Sequence, residues 1–376
     1  MRFTVSSSVA FCLGVLLPAG VAAQTYTYTT IDVPGATSSL AYGINDLTHI
    51  VGSFRDSAGV HGFLRKNRGI TVIDFPGASS TVARAINNRG QIVGEYRQND
   101  HQYGFLLDGG HFTTIDPPGA ISSVANSIND LGQIAGQFSP GTNASRGFVW
   151  THGQYLPVDG SPVAGSRSRL TGINRHGQLI GEFADPNTSQ LGFRMEADGR
   201  RTTINFPNAP ANFDNTPLAI NDRGEIVGQE VGIVFDGYVL AFGAFSKFHL
   251  PGSSDTIPEG LNNRGQIVGV YARVPIDTAS HAFIATPIGV EEDISGSPSE
   301  SGTRVPQAAV IADAELKLWT LGPGQEILRD GAQVANGYGS QILWYQGAIY
   351  VLGDDNQWWR WTGSTWEFFG ATAPTP

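Results

Sequence analysis

Apolar residues in this chain fall in short runs that return at a nearly fixed interval. An apolar residue closes a run at Ile44, Ile86, Ile128, Ile173, Ile220 and Leu261. Asparagine, two variable residues and usually glycine follow. An apolar pair then opens the next run, as at Ile50-Val51, Ile92-Val93, Ile134-Ala135, Leu179-Ile180, Ile226-Val227 and Ile267-Val268. Short apolar runs bounded by turn residues predict buried strands. Asn and Gly tolerate positive φ, and Asn can hydrogen-bond its own backbone, so each unit reads as strand, reversal, strand. The first unit departs from the pattern, with Thr48-His49 where the others carry Gly-Gln or Gly-Glu.

The asparagines Asn45, Asn87, Asn129, Asn174, Asn221 and Asn262 lie 42, 42, 45, 47 and 41 residues apart. A period near 40 built of strands and turns predicts propeller blades. In the second unit four strands are expected, at Gly62–Leu64, Ile70–Phe75, Val82–Asn87 and Gln91–Tyr96. Aromatics recur in step at Phe63, Phe105, Phe148, Phe193, Tyr238 and Phe283. An Ile-Asp-x-Pro-Gly stretch is clear around Asp32, Asp74 and Asp116 and decays later in the chain.

The ends of the array are complementary. It begins with a Thr-Thr-Ile-Asp strand that lacks a preceding Gly-Phe strand. It finishes at His281-Ala282-Phe283 with no Thr-Ile-Asp strand after it. Pairing the two fragments predicts an all-β fold whose main part is a six-bladed β-propeller, closed by one strand from each end. Closure removes exposed sheet edges, whereas an open solenoid would need capping repeats.

Beyond the array, residues 289–308 are rich in Ser, Gly and Glu and read as a flexible linker. Residues 309–376 hold Trp319, Trp344, Trp358, Trp359, Trp361 and Trp366, all but one of the tryptophans. That concentration predicts a separate small antiparallel β module. At the other end, Met1–Ala23 reads as a secretory signal: Arg2, an apolar stretch from Val9 to Ala19, then Val21-Ala22-Ala23. The propeller is therefore expected over 24–288. The only cysteine, Cys12, lies inside the signal, so no disulfide, thiol nucleophile or Cys-ligated metal is expected afterwards.

Charge narrows the function classes. The formal charge is −10, and losing Arg2 with the signal takes it to −11. With no cluster of Lys and Arg, neither nucleic acid nor an anionic membrane surface is an expected partner.

The motif residues Asn129–Gly136, Asn262–Gly269 and His281–Phe283 resemble the HAF-type extracellular repeat, and the likeness runs from about Tyr26 to Ala285. That resemblance implies secretion and a propeller-like fold; it carries no settled activity. The stretch from Trp358 to Trp366 resembles a Trp-rich β module appended to secreted bacterial proteins, some of them glycoside-active.

Candidate chemistry is concentrated in that tail. Trp359 and Trp361 are two apart and share one face of a strand, while Trp358 and Arg360 share the other. Indole faces pack against sugar C–H groups, and Asp354, Asp355 and Asn356 are placed to hydrogen-bond hydroxyls. With Trp344 these residues form a candidate carbohydrate patch; packing into the module's own core is the competing reading. The Asn-Asp turns fit hairpin chemistry better than calcium ligation, and the histidines show no metal-ligand spacing. No cofactor or metal is expected. Three functions remain open: a non-enzymatic protein binding extracellular or cell-surface glycan, a polysaccharide-acting hydrolase or lyase, and a structural or adhesive surface protein.

Overall fold

The computed structural model describes residues 26–67, 69–141, 144–161, 166–184, 190–204, 214–231, 235–241, 243–273, 279–287, 301, 304–305, 311–315, 317–321, 326–329, 332–353 and 355–374. The expected signal, most of the expected linker, and Asp354 lie outside them. The described elements are all β-strands.

Residues 26–287 form six blades of four antiparallel strands each. In the second blade Ser80–Ile86 is innermost, followed outward by Ile92–Gln98, His101–Asp108 and His111–Ile115. The sixth blade takes Ser253–Leu261, Ile267–Arg273 and His281–Pro287 from late in the array, and Tyr26–Thr30 from the start as its outermost strand. That strand pairs antiparallel with His281–Pro287, from Tyr26 opposite Pro287 to Thr30 opposite Phe283. The cores lie between blades. Ile31, Ile44, Ile50 and Phe63 of the first blade and its approach pack with Val268, Ala282 and Ile284 of the sixth.

The repeat read from the sequence and the physical blade are offset. Val60–Lys66 and Gly69–Ile73 are the outer strands of the first blade, and Ser80–Ile86 already belongs to the second. The Pro-Gly stretch is the crossover between blades, because its proline and positive-φ glycine end one strand and redirect the chain (Gly77, φ 76°).

One relationship explains why glycine and aromatic recur together. In every blade the glycine after the apolar pair sits directly across the ladder from the aromatic: Gly52 with Phe63, Gly94 with Phe105, Gly136 with Phe148, Gly181 with Phe193, Gly228 with Tyr238 and Gly269 with Phe283. All six aromatics are buried. A Cβ at Gly94 would lie 2.0 Å from the Val82 carbonyl oxygen and 2.9 Å from the Phe105 ring. Glycine there lets the next strand and the aromatic close in.

Residues from 304 onward form two further antiparallel sheets. One runs Arg304–Val305, Gln341–Tyr345, Ala348–Leu352, Trp358–Trp361, Trp366–Gly370; the other runs Ile311–Ala312, Leu318–Leu321, Glu326–Arg329, Ala332–Tyr338. Ala332–Tyr338 escapes an apolar-run reading because it is polar and holds Ala335 and Asn336 at positive φ. Both sheets share a core of Ile311, Trp319, Ile327, Ile342, Trp344 and Val351. The turn at Asp313 repeats the propeller's asparagine turn: its Oδ1 accepts from the N–H groups of Glu315 and Lys317, both at 2.9 Å.

Candidate functional site

The six asparagines converge on the propeller axis. Each turn is locked locally: Asn87 Oδ1 accepts from Arg89 N (3.1 Å) and Gln91 N (3.0 Å), and Gly90 takes φ 81°. Thr48 holds the same left-handed conformation at φ 59°, which a β-branched residue tolerates poorly, and its hydroxyl donates to Gln266 Oε1. The side-chain amides then link blade to blade. Asn45 Nδ2 donates to the Asn87 carbonyl, Asn87 to Asn129, Asn129 to Asn174, Asn174 to Asn221, Asn221 to Asn262 and Asn262 to Asn45, all at 3.0–3.1 Å. All six are buried. Hairpin chemistry, as the sequence implied, is half of their role; the other half is this inter-blade ring.

A second ring lies one residue on, formed by Asp46, Asn88, Asp130, Arg175, Asp222 and Asn263. Asn88 Nδ2 bridges the Oδ2 atoms of Asp46 (2.7 Å) and Asp130 (2.8 Å), and Asn263 Nδ2 bridges those of Asp46 and Asp222 (both 2.9 Å). Arg175 takes the third amide position and approaches Asp222 at 3.8 Å. The aspartates serve here as acceptors between blades. Among the described residues no group of His, Cys, Asp and Glu is arranged to hold a metal ion.

Further along the axis the lumen is lined by residues that share one origin. Each innermost strand shifts register by one residue at the same place, and the extra residue is Tyr42, Arg84, Asn126, Thr171, Leu218 or Glu259. A bulge re-aims the side chain it carries; together with Arg169 these six line a cavity of ≈ 60 Å³. All six are half-buried. Arg84 donates to Glu95 Oε1 at 2.7 Å and lies over the Tyr42 ring at 5.4 Å. Arg169 pairs with Glu182 at 2.8 Å, and the Thr216 hydroxyl donates to the other Glu182 oxygen.

Glu259 makes no hydrogen bond among the described residues. Protein surrounds it across the narrow lumen, and that desolvation pushes its carboxyl up to about 7 against the opposing pull of Arg84 and Arg169. Desolvation pulls the Arg84 guanidinium down, but Glu95, Tyr42 and Glu259 outweigh it and hold Arg84 above its ordinary value. None of these residues stands out in the sequence as an apolar run or a known motif. Their signal is a constant offset, three positions before each asparagine, where the chemistry varies inside a repeated frame.

The tail residues divide between core and surface. Trp344 and Trp358 are both buried at 5% exposure, Trp344 in the core shared by the two sheets and Trp358 against Leu343, Ala348 and Tyr350 with Arg304 over its ring. Trp361 is half-buried and packs edge-on to Trp319 at 5.7 Å. Trp359 is half-buried and Arg360 is exposed. Trp359 Nε1 donates to Asp355 Oδ1 at 3.3 Å, and its ring meets Phe368 edge-on at 5.8 Å. Phe368 is 62% exposed and Phe369 44%. Both stand on the edge strand Trp366–Gly370; neither was singled out from sequence.

No family model matches the chain, and no curated protein matches it. Among solved structures it is similar to a streptogramin B lyase (14% identity, 89% of this chain and 94% of that one, TM-score 0.41). It is also similar to a six-bladed β-propeller fungal lectin from Aleuria aurantia (13%, 64% and 89%, TM-score 0.38) and to TolB from Acinetobacter baumannii (11%, 82% and 77%, TM-score 0.42). These likenesses concern the scaffold, and function has to be read from this chain's own residues.

Proposed function

We propose that this is a secreted, non-enzymatic binding protein of the HAF-repeat type that recognises extracellular or cell-surface carbohydrate through its tail. The observation that carries the reading is the Trp359–Phe368 pair on the last hairpin. Its rings stand edge-on, one of them largely exposed, beside the Asp355 carboxylate. An aromatic face next to a fixed acceptor suits the two sides of a sugar ring, its C–H face and its hydroxyls. Arg360 presents a cation from the other face of the same strand. The buried Trp344 and Trp358 serve this surface as its foundation, and Asp354 adjoins it in sequence.

Glu259 favours a second reading, since a carboxyl titrating near neutrality suits a general acid. Its cavity of ≈ 60 Å³ is far below the roughly 300 Å³ where small-molecule sites begin, which weighs against a sugar chain reaching it. Among the described residues no helix is long and apolar enough to cross a membrane.

The test is a glycan array probed with the wild-type protein and with Trp359→Ala/Phe368→Ala, alongside an assay for reducing ends released from a polysaccharide panel. Retention of a glycan set by wild type, lost in the double variant, with no release of reducing ends, is the expected result. Retention unchanged by the double variant, or turnover of any polysaccharide, sinks the proposal.

A further inference from the structure

The cleft between the first and second blades, at the mouth opposite the asparagine turns, is a distinct candidate. It encloses ≈ 440 Å³, within the roughly 300–1,000 Å³ range of small-molecule sites. Ser79, Ser80, Glu95, Tyr96 and Gln102 line it from the second blade, and Gly59 and Val60 from the first. Two arginines stand over it, Arg55 and Arg97. Both are exposed, and neither guanidinium has a partner among the described residues.

The two arginines hold equivalent positions at the ends of neighbouring second strands, Ile50–Arg55 and Ile92–Gln98. In the other four blades that position is Ser139, Ala184, Val231 and Ala272. The first and second blades are thus the neighbouring pair that carries arginine at this position on both sides of the cleft between them. The acids near it are already engaged. Glu95 accepts from Arg84 and from Gln102, and Asp56 accepts from the Ala58 and Gly59 N–H groups and faces His61. Arg55, Arg97 and the Arg84–Glu95 pair leave a local surplus of positive charge on a chain whose formal charge is −10. The floor is rigid: Tyr96 is buried and stacks on Phe75 at 3.6 Å.

We propose that this cleft binds a carboxylated sugar unit, of the uronic-acid class. A planar carboxylate matches a guanidinium fork through two parallel charge-assisted bonds, which a neutral sugar cannot form. Ser80 supplies a hydroxyl for the ring substituents, and Ser79, whose hydroxyl donates to the Arg97 carbonyl oxygen at 3.3 Å, keeps its oxygen as an acceptor. Gln102 spends its amide donor on Glu95, which leaves its Oε1 as an acceptor. Arg84 is already committed to Glu95, so the unpartnered pair, Arg55 and Arg97, sets specificity. This site is separate from the tail hairpin and its test can fail independently.

The experiment is calorimetric titration of the full chain with trigalacturonate, with its methyl ester, and with inorganic sulfate. Wild type is compared with Arg97→Gln, Arg55→Gln/Arg97→Gln and Arg200→Gln. Trigalacturonate is expected to bind, about 10-fold more weakly in Arg97→Gln and about 100-fold more weakly in the double arginine variant, as loss of one and then two charge-assisted pairs implies. The Arg200→Gln variant, at an exposed arginine outside both proposed sites, should leave that affinity unchanged. Affinity should fall as salt is raised. Absence of trigalacturonate binding, equal affinity for the methyl ester, displacement by sulfate at equal concentration, or an affinity indifferent to both arginines overturns the assignment. Melting curves of the arginine variants matching wild type separate loss of the site from loss of the fold.

Discussion

Asn262 Nδ2 donates to the Asn45 carbonyl oxygen at 3.0 Å, joining residues 217 apart in the chain. It is the same bond that every other blade makes with its successor, so the last blade treats the first as its next neighbour. The strand pairing of Tyr26–Thr30 with His281–Pro287 performs the same closure at the rim.

Asn262→Ala should be strongly destabilising. The substitution removes the amide bonds to Asn45 O and Gln266 Oε1, and the acceptor for the Arg264 and Gln266 N–H groups. At about 1 kcal/mol net per bond, less some local repair, about 3 kcal/mol is lost. Scanning calorimetry should show a melting temperature lower by about 6–12 °C. Asn262→Asp keeps the acceptor and loses the donor, and should fall between. A drop under about 2 °C for the alanine variant would mean that the ring contributes nothing.

Arg175→Asn should stabilise. At the two symmetry-related positions, Asn88 and Asn263, the amide bridges flanking aspartates. Arginine has no acceptor for the Asp130 N–H, the link made elsewhere by bonds such as Asn88 N to Asp130 Oδ1. Completing the ring should add about 1 kcal/mol net. The gain should be clearer in about 0.5 M salt, where screening removes the penalty of losing the ring's one cation. A lower midpoint in urea under those conditions contradicts the account.

Gly94→Ala and Gly90→Ala should differ sharply. At Gly94 the new methyl would collide with the Val82 carbonyl and the Phe105 ring, so strand pairing itself must give way. A loss above about 4 kcal/mol is expected. At Gly90, φ 81°, nothing lies within 4 Å, so only left-handed strain of about 1–2 kcal/mol applies. Equal urea midpoints for the two variants would show that backbone strain, and not the glycine–aromatic packing, governs both.

Glu259 should give the protein a pH signature. Its folded carboxyl titrates at about 7 against an ordinary value of 4.5, so the folded state holds the proton more tightly. Between these values folding takes up a proton, and stability must fall as pH rises through that window. The slope cannot exceed about 1.4 kcal/mol per pH unit for one group. Urea midpoints of wild type measured against Glu259→Gln from pH 5 to 7.5 should converge at pH 5 and separate upward, with the variant more stable. Parallel curves would place the Glu259 titration elsewhere.

The asparagine frame, the aromatic that recurs in step with it and the split strand at the two ends were enough to specify six blades. Each is a local pattern repeated by one geometry, so spacing along the chain carries spacing in space. The tail's wealth of tryptophan likewise marked a β module, because so many indoles in so short a stretch must build a core or a surface. Which did which depended on tertiary structure: Trp344 and Trp358 went inward, while Phe368 and Phe369 took the exposed edge strand. The same holds for the axis. Tyr42, Arg84 and Glu259 stand together only because a bulge turns one residue of each inner strand toward a common lumen, and a bulge leaves no apolar signature in sequence. Arg55 and Arg97 are 42 residues apart in the chain and share a cleft because two blades stand side by side. Local turn chemistry and strand period are properties of the chain; convergence of side chains around an axis is a property of the closed ring, since it needs long-range pairing to exist.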